Sequence, residues 1–143
     1  MKGFKFGLQK VLDYKETLLN EEITKIQQTL TNIQKTQKDI ENINFRKGQL
    51  IKKKTNKINQ GISVENYSQF SRYSTFLHNT EKQLKSLQTK QNEQLDNLRR
   101  VAQLRQQEKK TLEKLKKKNL ESFTYNVRKQ EQNFIDDIVS ARH

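Results

Sequence analysis

The side chains able to do chemistry are few and badly placed for it. His78 and His143 are the only histidines, and neither stands beside a cysteine or an acidic cluster with metal-ligand spacing. There is no cysteine, so thiol chemistry and disulfides are excluded; this is compatible with a reducing compartment. Glu21-Glu22 and Asp136-Asp137 are adjacent pairs, whose side chains diverge on a helix rather than converge on a substrate. Gly3, Gly7, Gly48 and Gly61 form no phosphate-binding loop. These residues predict a chain that is not an enzyme, with no catalytic residue, no cofactor and no metal.

Charge is the next candidate. The 143 residues carry 29 Lys and Arg against 16 Asp and Glu, a formal net charge of +13. The basic residues concentrate at Lys52-Lys53-Lys54 with Lys57, and from Lys109-Lys110 through Lys116-Lys117-Lys118. Such patches attract nucleic acid or anionic lipid by counterion release and long-range steering. No aromatic-plus-basic arrangement for stacking bases accompanies them, and no zinc, RNA-recognition or helix-turn-helix signature is present. Lysine-rich exteriors also solvate coiled coils, so an acidic protein partner is the better expectation and no specific nucleic acid is implied.

The elements that must carry these residues are set by a seven-residue repeat. Leu12, Leu19, Ile26, Ile33 and Ile40 recur every seven positions, interleaved with Glu16, Ile23, Leu30, Gln37, Asn44, Ile51 and Ile58. Phe70, Leu77, Leu84, Gln91, Leu98, Arg105 and Leu112 keep the same period. Their interleaved partners are Tyr73, Thr80, Leu87, Gln94, Val101, Glu108 and Leu115. A sustained heptad holds one stripe against a partner helix. Between the runs, Gly61 suits a left-handed helix end, Ser63 an N-cap, and Glu65 the positive end of the following helix dipole. The expected fold is all-α: a long two-helix antiparallel coiled-coil hairpin whose C-terminal helix overhangs. It is read as one domain over 1–143, with helix one about 8–59, a turn about 60–63 and helix two about 64–139. The layers pair Ile23 with Val101 and Ile51 with Tyr73, and set Asn44 opposite Thr80.

Composition agrees. With 31% hydrophobic residues and a mean hydropathy of −1.10, the chain has apolar residues for a seam and little more. No apolar stretch approaches the roughly 18–20 residues that span a bilayer, and Met1-Lys2-Gly3-Phe4 opens no signal-peptide pattern. A soluble, cytoplasmic protein without a membrane span is expected.

Two surfaces stand out from the repeat. After Leu115 the apolar positions become Leu120, Phe123, Val127, Phe134, Ile135, Ile138 and Val139, helical in spacing but no longer a strict seven. Residues from about Lys116 onward are expected to lack a partner in the chain. At the other terminus Phe4, Phe6, Leu8, Val11 and Leu12 are dense for so polar a chain. The second surface lies toward the turn, where Ile43 and Leu50 fall one residue before the repeat positions and are read as flanking the seam. Tyr67, Phe70, Tyr73, Phe76 and Leu77 supply more aromatics there than one seam absorbs. Either a broadened core or a partner site accounts for them, and both readings stand.

The opening Phe4-Lys5-Phe6-Gly7-Leu8-Gln9-Lys10-Val11-Leu12-Asp13-Tyr14-Lys15-Glu16 resembles the start of the flagellar export protein FliJ. Gly61-Ile62-Ser63 followed by Tyr67, Phe70, Tyr73 and Leu77 is similar to the same family, and the likeness runs end to end. The resemblance implies a component of the flagellar type III export apparatus, cytoplasmic and peripherally associated with the membrane at the flagellar base. Family members form an antiparallel coiled coil like the central stalk of rotary ATPases. The implied partners are the hexameric export ATPase, the cytoplasmic domain of the membrane export gate, and export chaperones. By this resemblance Phe4, Phe6, Leu8, Val11, Phe123, Val127, Phe134 and Ile138 would contact the ATPase. Tyr73 and Leu77 match the family's gate-contact pattern, with Ile43 and Leu50 on the corresponding apolar flank. Thr80 and Leu84 depart from that pattern. Two other classes remain: a rotary-ATPase stalk subunit, against which the lack of an insertion at Gly61 argues, and a generic basic coiled-coil adapter, nucleic-acid associated or not.

Overall fold

The computed structural model describes residues 3–142; Met1, Lys2 and His143, named above in the leader and histidine readings, lie outside the described residues. Two helices, α1 (Gln9–Gln60) and α2 (Val64–Ala141), pack against each other as an all-α hairpin, and the described residues contain no strand. Gly61 ends α1 with φ at +89°, a backbone conformation that costs a side-chain-bearing residue about 1 kcal/mol or more. Its N–H donates to the Ile58 carbonyl at 3.2 Å. Ser63 then caps α2, its Oγ accepting from the Asn66 N–H at 3.2 Å and its carbonyl from the Tyr67 N–H at 3.0 Å. Glu65 sits in the first turn of α2.

The chain divides into two compact units, Thr24–Arg99 and Met1–Ile23 with Arg100–His143. In the first, Ile43, Leu50 and Leu77 form the core, with Phe70 and Leu84 packed against it. Leu77 is 0% exposed. The Gln88 amide donates to Gln37 Oε1 at 2.7 Å, and Lys47 pairs with Glu81, so polar links join the helices beside the apolar seam. In the second unit Phe6, Leu12 and Leu19 are buried, and the rings of Phe4 and Phe123 lie 5.7 Å apart. Lys15 pairs with Glu108 at 2.7 Å, and Lys109 with Glu16 at 3.7 Å.

The first stripe of each helix faces inward as the repeat predicts: Leu12, Leu19 and Ile40 on α1 and Leu77 on α2 are buried. The interleaved positions differ. On α1 the buried residues are Thr29, Thr36, Ile43 and Leu50, one place before Leu30, Gln37, Asn44 and Ile51. Ile51 is 65% exposed, and Ile23, Leu30 and Tyr73 also face solvent, so the layer Ile51–Tyr73 does not form the seam. On α2 Leu95 is buried where Gln94 was expected, and Leu87 and Leu115 are exposed. Ile43 and Leu50 are therefore core and not flank. The reason is geometric and chemical together. Positions three and four beyond a stripe residue lie on opposite shoulders of it, and packing turns only one inward. Threonine can occupy the inward shoulder because its hydroxyl folds back: Thr29 donates to the Lys25 carbonyl at 2.9 Å and Thr36 to the Asn32 carbonyl at 3.0 Å.

Covering also extends further along α2 than the expected break near Lys116. Lys116 and Phe123 are half-buried, because residues 4–6 continue the packing ahead of α1.

This register makes a sharp comparison. Leu77→Ala should destabilise the protein by about 2–5 kcal/mol in a urea titration, as for a fully buried leucine, and Ile51→Ala by less than about 0.5 kcal/mol. Equal losses at the two positions would mean that the seam runs along the other shoulder.

Candidate functional site

The aromatic surface in the Thr24–Arg99 unit is built on the core just described. Ile43, Leu50 and Leu77 are the buried layer, and Tyr73 and Phe76 stand above it in solvent, one helical turn apart. Their rings stack with centroids 6.4 Å apart and planes within 16°. Phe76 is 58% exposed, although a ring of that size is normally drawn into a core or an interface. Phe45 is exposed on α1 in the same unit. Nearer the turn, a shallow cleft of about 410 Å³ is lined by Leu50, Lys53, Lys57, Asn66, Phe70 and Tyr73. Lys54 lies over the Tyr67 ring, 4.8 Å from its centroid, within cation–π range. Of the four residues the resemblance assigned to gate contact, only Tyr73 is thus exposed; Ile43, Leu50 and Leu77 are buried in the core.

An ion cluster braces the same region. Glu81 meets Lys47 of the opposite helix and, at 2.7 Å, Lys85 one turn along its own. The hydrogen bond from Lys47, then that from Lys85, holds the Glu81 carboxyl down at about 2. In the other unit Lys15 is the main cause holding Glu108 below the ordinary carboxylate range, with Arg105 adding to it. Both clusters join α1 to α2, so they act as positional clamps on the faces beside the seam.

The second surface spans residues 3–23 and 100–142. Phe6 is buried and Phe4, Phe123 and Val127 are half-buried, while Leu8 and Val11 are exposed. A cavity of about 610 Å³ opens here, lined by Phe4, Phe6, Gly7, Gln9, Lys10 and Lys116 among others. Further along α2, Phe134 is 67% exposed and Ile135, Ile138 and Val139 are exposed with it. The eight residues expected to face the ATPase therefore fall into two sets. Phe4, Phe6, Phe123 and Val127 pack within the unit, and Leu8, Val11, Phe134 and Ile138 are open to a partner.

Sequence reasoning missed Phe45, which lies off the repeat and carries no periodic signal; its size in so polar a stretch was the one available cue. Among the described residues no group of three or more His, Cys, Asp or Glu is placed to hold a metal ion, and no helix is long and apolar enough to cross a membrane. A family model described as Flagellar FliJ protein matches residues 4–143, nearly the whole chain. No curated protein and no solved structure matches it.

The Glu81 clamp has a pH signature. A carboxyl lowered from 4.5 to about 2 on folding contributes stability that is complete above pH 4.5 and is lost as pH falls through the folded value. Glu81→Gln removes that term, so between about pH 5 and about pH 2.5 its melting temperature should fall less steeply than that of the unaltered chain. Parallel curves in thermal melts followed by circular dichroism would show that Glu81 titrates as an ordinary glutamate.

Proposed function

We propose a function on one premise: the chain belongs to the flagellar FliJ protein family, and is therefore a component of the flagellar export apparatus. Within that apparatus, the surface holding Leu8, Val11, Phe134 and Ile138 docks into the hexameric export ATPase. The stacked Tyr73 and Phe76 meet the cytoplasmic domain of the export gate, with Ile43, Leu50 and Leu77 fixing the angle at which they are presented. Escort of export chaperones belongs to the same reading, as does a position at the cytoplasmic face of the membrane.

The observation that carries it is the last two turns of α2. Phe134, Ile135, Ile138 and Val139 are all exposed together on one short stretch, four apolar side chains within six residues. An isolated helix of that length is marginal in water, so an apolar face there is best explained by a partner that covers it. The role is mechanical and allosteric, with no bond made or broken. A single chain docked in a six-fold ring contacts its subunits unequally. It biases them by binding one subunit state more tightly than another, which is the only way an effector shifts an equilibrium. Helices are suited to this, since at 1.5 Å per residue about fifty residues carry a contact roughly 75 Å.

Point substitutions at exposed positions separate the two contacts without disturbing the seam. Phe134→Ser with Ile138→Ser should weaken ATPase binding by about 2 kcal/mol or more and remove its stimulation, leaving gate binding intact. Tyr73→Ala with Phe76→Ala should do the reverse. Helicity must be retained in both, as read by circular dichroism. Full stimulation of the ATPase by the folded first variant would refute the docking assignment.

A further inference from the structure

The turn region carries a surface that neither docking contact uses. Besides Lys47, which Glu81 holds, residues 42–80 contain Arg46, Lys52, Lys53, Lys54, Lys57 and Arg72 against a single carboxylate, Glu65. Four of those lysines fall in the last three turns of α1. Among the exposed polar side chains around them stand two aliphatic ones: Val64, at the first position of α2, is 85% exposed, and Ile58 is exposed, with Ile62 half-buried in the turn between them. Tyr67 adds an amphipathic ring beneath Lys54.

We propose that this turn, through Val64 and Ile58 ringed by Lys52, Lys53, Lys54 and Lys57, docks on the surface of an anionic lipid bilayer. Two requirements of interfacial binding meet here. Clustered lysines are attracted to an anionic leaflet, and apolar side chains beside them leave water at the boundary of headgroups and acyl chains. A nucleic acid would satisfy the lysines alone, since its phosphates give Val64 and Ile58 no apolar surface to enter. The aliphatic residues sit at the very end of the two helices, where a further helix laid along the seam would not cover them. The contact is peripheral and reversible. It needs no spanning segment, and among the described residues no helix is long and apolar enough to be one.

The chain has no tryptophan, so Val64→Trp in the full-length protein is a clean reporter. With vesicles of equal parts phosphatidylglycerol and phosphatidylcholine its emission should shift to the blue, and with phosphatidylcholine alone it should not. Leu104→Trp, exposed elsewhere on α2, should show no shift with either. Replacing Lys52, Lys53, Lys54 and Lys57 by Gln should lower co-sedimentation with the anionic vesicles by about a hundredfold or more, each near-surface lysine contributing a factor of roughly five. Val64→Ser, which changes one solvent-facing side chain, should weaken binding several-fold with helicity unchanged, and so keeps the test valid should the lysine variant misfold. The proposal is overturned by absence of co-sedimentation or by an unshifted Val64→Trp emission on bound vesicles. It is overturned equally by vesicle binding that a duplex DNA of equal charge abolishes at lower concentration than added anionic vesicles do.

Discussion

The packing of Leu77 between Ile43 and Leu50 is the contact on which the rest of the molecule depends. Burying a leucine or isoleucine fully is worth about 1.5–3 kcal/mol, and a chain with 31% hydrophobic residues has few to place. Even so, most of the large apolar side chains stand outside the buried set. Exposure alone therefore singles out no residue, whereas clustering of exposed side chains does. Phe76 and Phe134 are set apart by their neighbours: Phe76 stacks on Tyr73, and Phe134 stands with Ile135, Ile138 and Val139.

Polar groups complete what the apolar seam leaves open. Thr29 and Thr36 occupy buried positions at little cost because each hydroxyl is satisfied by its own helix. The Lys47–Glu81 and Lys15–Glu108 pairs sit beside the seam, where partial burial strengthens them beyond a fully solvated pair. Their main effect is on position. A heptad seam tolerates axial slippage by whole repeats, and an ion pair between named residues of the two helices does not. Within the Thr24–Arg99 unit, the Lys47–Glu81 pair therefore fixes the register of the helix that carries Tyr73 and Phe76.

Much of this was legible in the residues. The seven-residue period determined the helices, and Gly61 with Ser63 located the turn, because each states a local backbone requirement that does not depend on the partner helix. The inward shoulder was not legible. Ile23, Leu30, Ile51 and Ile58 argue for one side of the stripe and only Ile43 and Leu50 for the other, so hydrophobicity alone favours the wrong one. Only the opposing residues, Phe70, Leu77 and Leu84, resolve the choice. The extent of the overhang was misjudged for a related reason: residues 4–6 are not helical, so a helix-against-helix layering leaves out the cover they give Phe123. The candidate surfaces were legible as surplus but not by residue, because a one-place shift in register exchanges a buried side chain for an exposed one.

The same shift changes what kind of mechanism the aromatic surface supports. With Leu50 and Leu77 outside, the gate contact would be a broad aliphatic patch whose affinity follows area. With them inside, the proposed contact reduces to two stacked rings and their exposed neighbours. A small rigid contact of that kind gives modest affinity with strict orientation, because little side-chain freedom is lost on binding and little area is buried. For a component proposed to meet two large partners and pass a bias between them, that combination is the useful one. Tight binding at either surface would hold the complex in one state, whereas differential binding requires only that one geometry be preferred. The seam, by keeping Leu50 and Leu77 inside, holds the aromatic surface in that regime.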